Sequence, residues 1–427
     1  MKKSIVLLLL APACLAWAAD YPDLPPEVQV AQALRAHPLV TAASAGVRAG
    51  EAHRDRLAAG PHEFALRLAG QRRQDRSADQ RYREREIGIE RAIRLPGKAA
   101  LDTEIGAAGM SQARHALGDA LHESGRQLLA GWFEWQREAA AARDWQAQVD
   151  ILRAQQAAVQ KKVGAGETAK LEALLAEAQL AQAEAQLAQA QMRRERAAIE
   201  LRQHFPDVAL PERVVLPLPA SVADDADARA RWRGRILAGN HELALARGAA
   251  QQSRLEAGRL DAERLPDPTL GLTLGSERDG QERIVGLQLT IPLPGAARAA
   301  SARAGGAEAD AAAAREALAL ARAEAEARRT INAALSSHQQ WQRLADVAQR
   351  MEENARLLEK AWRLGEGQFT ELQTARRQAI EARLAATQAQ LDANEARYRL
   401  LLDAHELWNI DEAGAQPGVN LSPEVAR

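Results

Sequence analysis

Residues 163–192 read VGAGETAKLEALLAEAQLAQAEAQLAQAQM, and residues 364–400 read LGEGQFTELQTARRQAIEARLAATQAQLDANEARYRL. Each stretch opens on a glycine pair, Gly164 with Gly166 and Gly365 with Gly367. Each then runs into small apolar residues at alternating steps of three and four. The first stripe is Leu171, Leu174, Ala178, Ala181, Ala185, Ala188 and Met192. The second is Leu372, Ala375, Ala379, Ala382, Ala386, Ala389, Ala393, Ala396 and Leu400, and the two register at an offset of 201. A sustained spacing of 3.5 residues belongs to helices that wind around one another. Each glycine pair therefore predicts the turn between a long incoming helix and a returning one, because glycine supplies the left-handed conformation a helix end favours.

Upstream, the repetition continues. Leu95-Pro96-Gly97 recurs as Leu293-Pro294-Gly295, an offset of 198. Two landmarks and a heptad stripe in nearly one register predict a duplication of about 200 residues. The expected layout is a first repeat over 19–206, a linker over 207–229, a second repeat over 230–410 and an irregular tail over 411–427. Each repeat begins with a helical stretch, about Val28–Ala59 and Ala230–Glu263. Two strands follow, then a helical hairpin. The first long helix, about Lys98–Lys162, would span roughly 95 Å at 1.5 Å per residue, more than a compact domain accommodates.

The strands are expected at 62–71, 83–93, 269–276 and 283–291. Phe64, Leu66 and Leu68 alternate with small or polar residues, as do Leu270, Leu272 and Leu274. Ile87, Ile89 and Ile93 share one parity, and so do Val285, Leu287, Leu289 and Ile291. Each run is close to the 9–11 residues of a membrane β-strand. The charged segments Arg72–Tyr82 and Glu277–Glu282 read as water-facing loops. The strands alone fit two small soluble hairpins equally well, since the barrel signal is weak in any one segment.

Composition agrees with thin, closely packed helices. Of 427 residues 96 are alanine, a strong helix former that buries little area, and aromatics make up only 4%. Fifty-six Lys and Arg against 57 Asp and Glu leave no basic excess of the kind a nucleic-acid binder needs. Residues 1–18, with Lys2, Lys3, an apolar run and Ala16-Trp17-Ala18, read as a secretory signal peptide. The lone Cys14 falls within it; lipidation there is the alternative to removal with the peptide. No stretch of 18 apolar residues follows, so a membrane role must use strands. The nine histidines show no close metal-ligand spacing; His115 and His122 share a helix face but lack a third ligand. No catalytic motif appears, so no enzyme activity, cofactor or metal site is expected.

Four strands that cross a bilayer cannot close a barrel, and lipid leaves no edge unpaired. Two chains would give eight strands, whose interior side chains fill, and three give twelve, which leaves a channel. The chain resembles the TolC-like outer-membrane efflux proteins, and more closely their heavy-metal (CzcC-like) branch. The resemblance covers nearly the whole mature chain. It rests on the two copies, the repeat starts His37-Pro38 and Asn240-His241, and the strand ends Leu95-Pro96-Gly97-Lys98 and Ile291-Pro292-Leu293-Pro294-Gly295. It rests also on Val163-Gly164-Ala165-Gly166 and Leu364-Gly365-Glu366-Gly367. Asn-Pro is usual at the repeat starts, and both copies depart from it.

The resemblance implies a mainly α fold with membrane β. This is a homotrimer with a 12-stranded barrel in the bacterial outer membrane, continued into the periplasm by an α-helical coiled-coil tunnel. It implies an outer-membrane channel subunit of a tripartite efflux pump, a passive duct serving an adaptor protein and an inner-membrane RND-type pump, with heavy-metal cations as cargo. It places Val163, Gly164, Ala165, Gly166, Leu364, Gly365, Glu366 and Gly367 at the adaptor-docking tip. Threefold symmetry would turn Glu366 and Glu371 into acidic rings at the pore mouth. Solvated helix-end charge is the alternative for both, and Lys170 stands where Glu371 stands in the other copy. Thr168 and Thr370 read as caps or near-caps of the returning helices. Drug or other small-molecule export by the same channel, and an exported coiled-coil protein without a pore, remain as alternatives.

Overall fold

The computed structural model describes residues 21–408. The expected signal peptide, Cys14 and the tail 411–427 lie outside the described residues. In each half two helices lead into a β-hairpin and then a helical hairpin. The first half holds α1 (Glu27–Ala36), α2 (Pro38–Ala59), β1 (Ala65–Asp75), β2 (Gln80–Ala92), α3 (Pro96–Gly164) and α4 (Lys170–His204). The second holds α5 (Ala226–Ala238), α6 (His241–Ala262), β3 (Thr269–Glu277), β4 (Glu282–Thr290), α7 (Ala296–Leu364) and α8 (Phe369–Asp403). The long helices α3 and α7 have 69 residues each, and the returning helices 35 each. At 1.5 Å per residue the former reach about 100 Å.

Several sequence boundaries move, each for a local reason. The helix expected over Val28–Ala59 is broken at His37, whose extended backbone (φ −64°, ψ 135°) is what a following proline imposes. Pro38 then opens α2, where its missing N–H costs nothing, and His37 Nδ1 accepts from Leu39 N at 3.4 Å. The second copy breaks at Asn240, which caps α6 by accepting from Leu243 N at 2.7 Å. The linker ends before 229, because Asp225 caps α5 by accepting from Ala228 N at 2.7 Å. What precedes it is strapped to α8. Gln390 donates to the carbonyls of Leu216 and Pro217, and Asn394 donates to that of Pro217.

The first β-hairpin is longer than its apolar alternation. Arg72–Tyr82 was expected as a loop, yet the ladder runs to Asp75↔Gln80 and leaves a turn of four residues. A hydrogen bond and an ion pair support the extension: Gln71 donates to Glu84 at 2.7 Å and Arg73 pairs with Glu84 at 3.0 Å. Asp75 Oδ1 closes the turn by accepting from Ser77 N at 2.9 Å.

The four strands form one antiparallel sheet in the order β1-β2-β3-β4, with β1 and β4 as open edges. The principal core lies beyond the strand–helix junction, where α1, α2, the middle of α3 and the ends of α4 and α8 meet. It contains Leu34, Leu121, Leu128, Phe133, Leu201, Phe205 and Leu402. Each such side chain contributes roughly 1.5–3 kcal/mol by leaving water. Toward the glycine turns the core thins to Val149, Leu152, Leu180 and Ala183.

Candidate functional site

Cross-strand register puts the apolar residues of the sheet in rows. Leu66, Ile89, Leu272 and Leu287 are successive partners, and so are Leu68, Ile87, Leu274 and Val285. All eight are exposed, Leu287 to 81%. The opposite face carries Arg67, Gly88, Thr273 and Gly286 in one row and Ala69, Glu86, Gly275 and Ile284 in the next. On this second face charges are largely paired: Arg67 with Glu90 at 3.1 Å and Arg73 with Glu84. Through these rows one exposed face of the sheet is apolar and the other polar, the two-sided pattern of a membrane β-strand.

Strand ends are tied to the helices by a charged knot that joins the two copies. Lys98, almost fully buried, lies 2.9 Å from Asp267 and 3.3 Å from Glu263. Asp267 also meets His62 at 2.8 Å and accepts from Leu95 N at 3.2 Å. Burial opposes ionisation of Asp267, but the hydrogen bonds from His62, Lys98 and Leu95 outweigh it and hold the carboxyl below its usual range. Asp102 is held between Arg94 at 3.0 Å and Arg259 at 2.7 Å.

Below the knot the long helices form a layer. At the strand end α2, α3, α6 and α7 pack in succession, and farther on α4 lies on α3, α3 on α8 and α8 on α7. The edges are thus α2 and α7 at the strand end and α4 and α7 farther on, with α5 lying on part of α7. The stripe expected as a packing seam divides between the copies. In α8, Leu372, Ala375, Ala389, Ala393 and Leu400 are buried. In α4 the expected stripe faces solvent, with Leu171, Leu174 and Met192 each more than 60% exposed. The seam of α4 with α3 is instead Ala176, Leu180, Ala183, Ala190 and Ala197. Two heptad stripes coexist on α4, and a single partner helix can cover only one of them.

The two turns at the far end are built differently. In the first, Gly166 takes φ +75°, Gly166 N donates to Val163 O and Glu167 N donates to Lys162 O. In the second, Gly365 takes φ +81°, Gly365 N donates to Trp362 O and Glu366 N donates to Ala361 O. Both are Schellman closures. The left-handed residue is the second glycine of the first pair and the first glycine of the second. Gly164 is instead the last residue of α3, with open space where a side chain would stand. Gly367 lies against Trp362 and Ala361. Neither threonine caps a helix: Ala169 and Gln368 occupy the cap positions, and Thr370 lies inside α8. The cap falls elsewhere because each Schellman closure leaves only two or three residues before the returning helix starts.

Gly164, Ala165, Gly166, Leu364, Gly365 and Glu366 are exposed, while Val163 and Gly367 are half-buried. Behind them Val159, Ala176, Trp362, Phe369 and Leu372 form a small core that joins both tips. Lys162 Nζ sits 4.5 Å from the centre of the Trp362 ring. Glu366 and Glu371 are both exposed; Glu371 lies in the first turn of α8, where a carboxylate is favoured.

Sequence spacing missed one assembly. His122, His241 and His405 come together with ring centres 4.9–5.8 Å apart. His122 Nε2 meets Leu402 O at 2.9 Å, and His405 Nε2 meets Gly239 O at 2.9 Å. Burial, then the Arg126 charge and the other two rings, lowers the pKa of His122 to about 3. Among the described residues no group of His, Cys, Asp or Glu is arranged to hold a metal ion. No motif could have signalled the trio, because its members come from α3, the start of α6 and the segment after α8.

No family model and no curated protein matches the chain. Solved structures do. The CmeC outer membrane channel of Campylobacter jejuni superposes with a TM-score of 0.72 at 14% identity, over 97% of this chain and 98% of that one. The outer membrane protein VceC of Vibrio cholerae gives 0.73 at 14%, over 89% and 96%. The open state of the MtrE outer membrane channel of Neisseria gonorrhoeae gives 0.67 at 17%, over 89% and 88%. These neighbours are channel proteins, not enzymes. The chain has the fold of outer-membrane channels of the TolC type.

Proposed function

We propose that the protein is the outer-membrane channel subunit of a tripartite efflux pump, a passive duct from periplasm to exterior. The observation that carries this is the coincidence of two open edges. The sheet is open at β1 and β4, and the helical layer is open at α7 along one side and at α2, then α4, along the other. A head-to-tail ring closes both at once. Three copies supply twelve strands, the smallest multiple of four here that leaves a channel. The uncovered stripe of α4, from Leu171 to Met192, is the surface a neighbour's α7 would cover. The apolar sheet face would then meet lipid and the polar face the lumen.

Heavy-metal cations are the proposed cargo. The polar face carries Asp75, Glu84, Glu86, Glu90, Glu277 and Glu282 against Arg67 and Arg73, a balance that favours cations in a confined pore. The glycine tips, which present backbone and small side chains, are the proposed seat of an adaptor that links the duct to an inner-membrane pump. The test is native mass measurement of the detergent-extracted protein together with single-channel recording in a planar bilayer. A trimer with cation-selective conductance is expected. A stable monomer, or a trimer that conducts nothing, would leave an exported coiled-coil protein without a pore. A conducting trimer with no preference for cations would turn the cargo reading toward drugs or other small molecules.

A further inference from the structure

Beyond its last apolar row, the outward face of the sheet turns abruptly basic. Gly70, Arg85, Ser276 and Arg283 form the next row, and Arg72 pairs with Arg83 in the one after. Arg81 follows on the same face. No carboxylate shares this face of the four strands. Among the described residues these five guanidiniums have no ion-pair partner, whereas Arg67 and Arg73 on the opposite face do. Arg91, at the other border of the apolar rows, is also satisfied: Nε donates to His62 O and the guanidinium stacks 4.8 Å over Phe64.

The small residues shape a site. Gly70 and Ser276 alternate with Arg85 and Arg283, which stand two strand spacings apart, about 10 Å. A groove of about 540 Å³ lies there, lined by Leu68, Ile87, Leu274 and Val285, by the two arginines and Ser276, and by the row between them, which includes Glu86 of the opposite face by register. Its apolar side continues into the face that the reading above gives to lipid, and this inference rests on that reading. The depth fits as well. From Ile291, just past β4, to Arg283 is roughly 27 Å along the strand, or about 20 Å across the bilayer at the 35–45° tilt of such barrels, near the far border of their ≈ 25 Å apolar band. The arginine row therefore falls where the hydrocarbon gives way to headgroups.

We propose that Arg85 and Arg283 form a binding site for a phosphorylated lipid of the leaflet remote from the long helices. The phosphate lies between the two guanidiniums over Ser276, and the acyl chains lie along Leu68, Ile87, Leu274 and Val285. Arginine suits the role because its planar fork meets phosphate oxygens in pairs. Unpaired arginines beside apolar rows retain their charge for a ligand that brings both an anion and hydrocarbon. A soluble anion would use only half of the site.

The full-length protein in detergent, titrated with phosphatidic acid and followed by native mass spectrometry, tests this. Diacylglycerol, which lacks the phosphate, is the comparison, and inorganic phosphate is the competitor. Wild type should retain phosphatidic acid well above diacylglycerol. At about a factor of five for each arginine near a charged lipid surface, Arg283→Gln should weaken retention about fivefold. Arg85→Gln with Arg283→Gln should weaken it ~30-fold, toward the diacylglycerol level. Arg343→Gln, on the exposed side of α7, should change nothing. Should the double variant assemble poorly, the single variant decides. Wild-type affinity in Arg283→Gln, or equal retention of the two lipids by wild type, overturns the site. Release by inorganic phosphate at the lipid's own concentration overturns the lipid as ligand. A wild-type protein that needs no detergent to stay dissolved would instead refute the barrel, which keeps the two failures apart.

Discussion

Lys98 Nζ lies 2.9 Å from Asp267 Oδ1, with the two side chains 1% and 8% exposed, and this contact ties the start of α3 to the segment that precedes β3. Such a pair contributes little against two well-packed apolar residues, but losing one partner strands a buried charge. Lys98→Met should therefore destabilise the protein by about 3–5 kcal/mol. Adding Asp267→Leu should restore part of that loss. Thermal unfolding in detergent checks both, and equal stability of the single and double variants would contradict the pairing.

The same knot sets an acid limit. The carboxyls of Asp267 and Glu263 are held below their usual range: burial opposes ionisation, and hydrogen bonds and the charges of Lys98 and Arg259 outweigh it. Their contribution is complete above the ordinary carboxylate range and is lost as pH falls through the lowered values. His122 acts higher. Its folded pKa of about 3 lies below the unfolded 6.5, so stability falls once pH drops below 6.5. The slope is at most about 1.4 kcal/mol per unit. Denaturant titrations from pH 7.5 to 5 should show this decline, and His122→Gln should flatten it.

Facing in the sheet is tested by a pair of arginine substitutions. Leu272→Arg places a charge in the exposed apolar rows and should cost about 2–4 kcal/mol near the bilayer midplane. Ala69→Arg points to the polar face, beside Glu86 in the register, and should assemble normally. Heat-modifiable oligomers on gels report both. Equal assembly of the two would reverse or abolish the assignment.

At the tips, Gly164→Trp is the cleaner substitution. Gly164 is helical and its surroundings are open, whereas Gly365 at φ +81° strains any side chain. Both Gly164→Trp and Gly365→Trp should reach normal outer-membrane levels and lose resistance to the exported toxin. Full resistance in Gly164→Trp would return the glycines to plain turn formers.

Glu366→Ala with Glu371→Ala should lower cation selectivity in single-channel recordings and leave adaptor binding intact. Unchanged selectivity would assign both carboxylates to ordinary helix-end solvation.

The architecture was legible because its signals are long. Heptad stripes over tens of residues and the repeated Leu-Pro-Gly carried helix lengths and the order of elements to within a few residues. What was lost was short or non-local. Pro38 and Asn240 interrupt helices within a residue or two, so periodicity ran through them. The charged end of the first hairpin read as a loop because its support, Arg73 on Glu84, is a cross-strand contact. The exposed stripe of α4 could not be told from its buried one, since both repeat every 3.5 residues and only the neighbours decide. The histidine trio draws on three segments and leaves no trace in any of them.

Helices of 69 and 35 residues occur in both halves, yet the first tip turn spans 165–169 and the second 365–368. Every residue added within a helix would turn the rest of it by about 100° and carry it 1.5 Å along its axis, so that neither stripe would meet its partner. A loop carries no such phase. The two halves share little beyond part of the stripe, the glycine pairs and Leu-Pro-Gly, yet their hairpin helices have identical lengths, and the single residue by which their tips differ falls where the chain is free of that phase. Substitution is cheap in this architecture and insertion is not, which makes the turns the places where its descendants can change size.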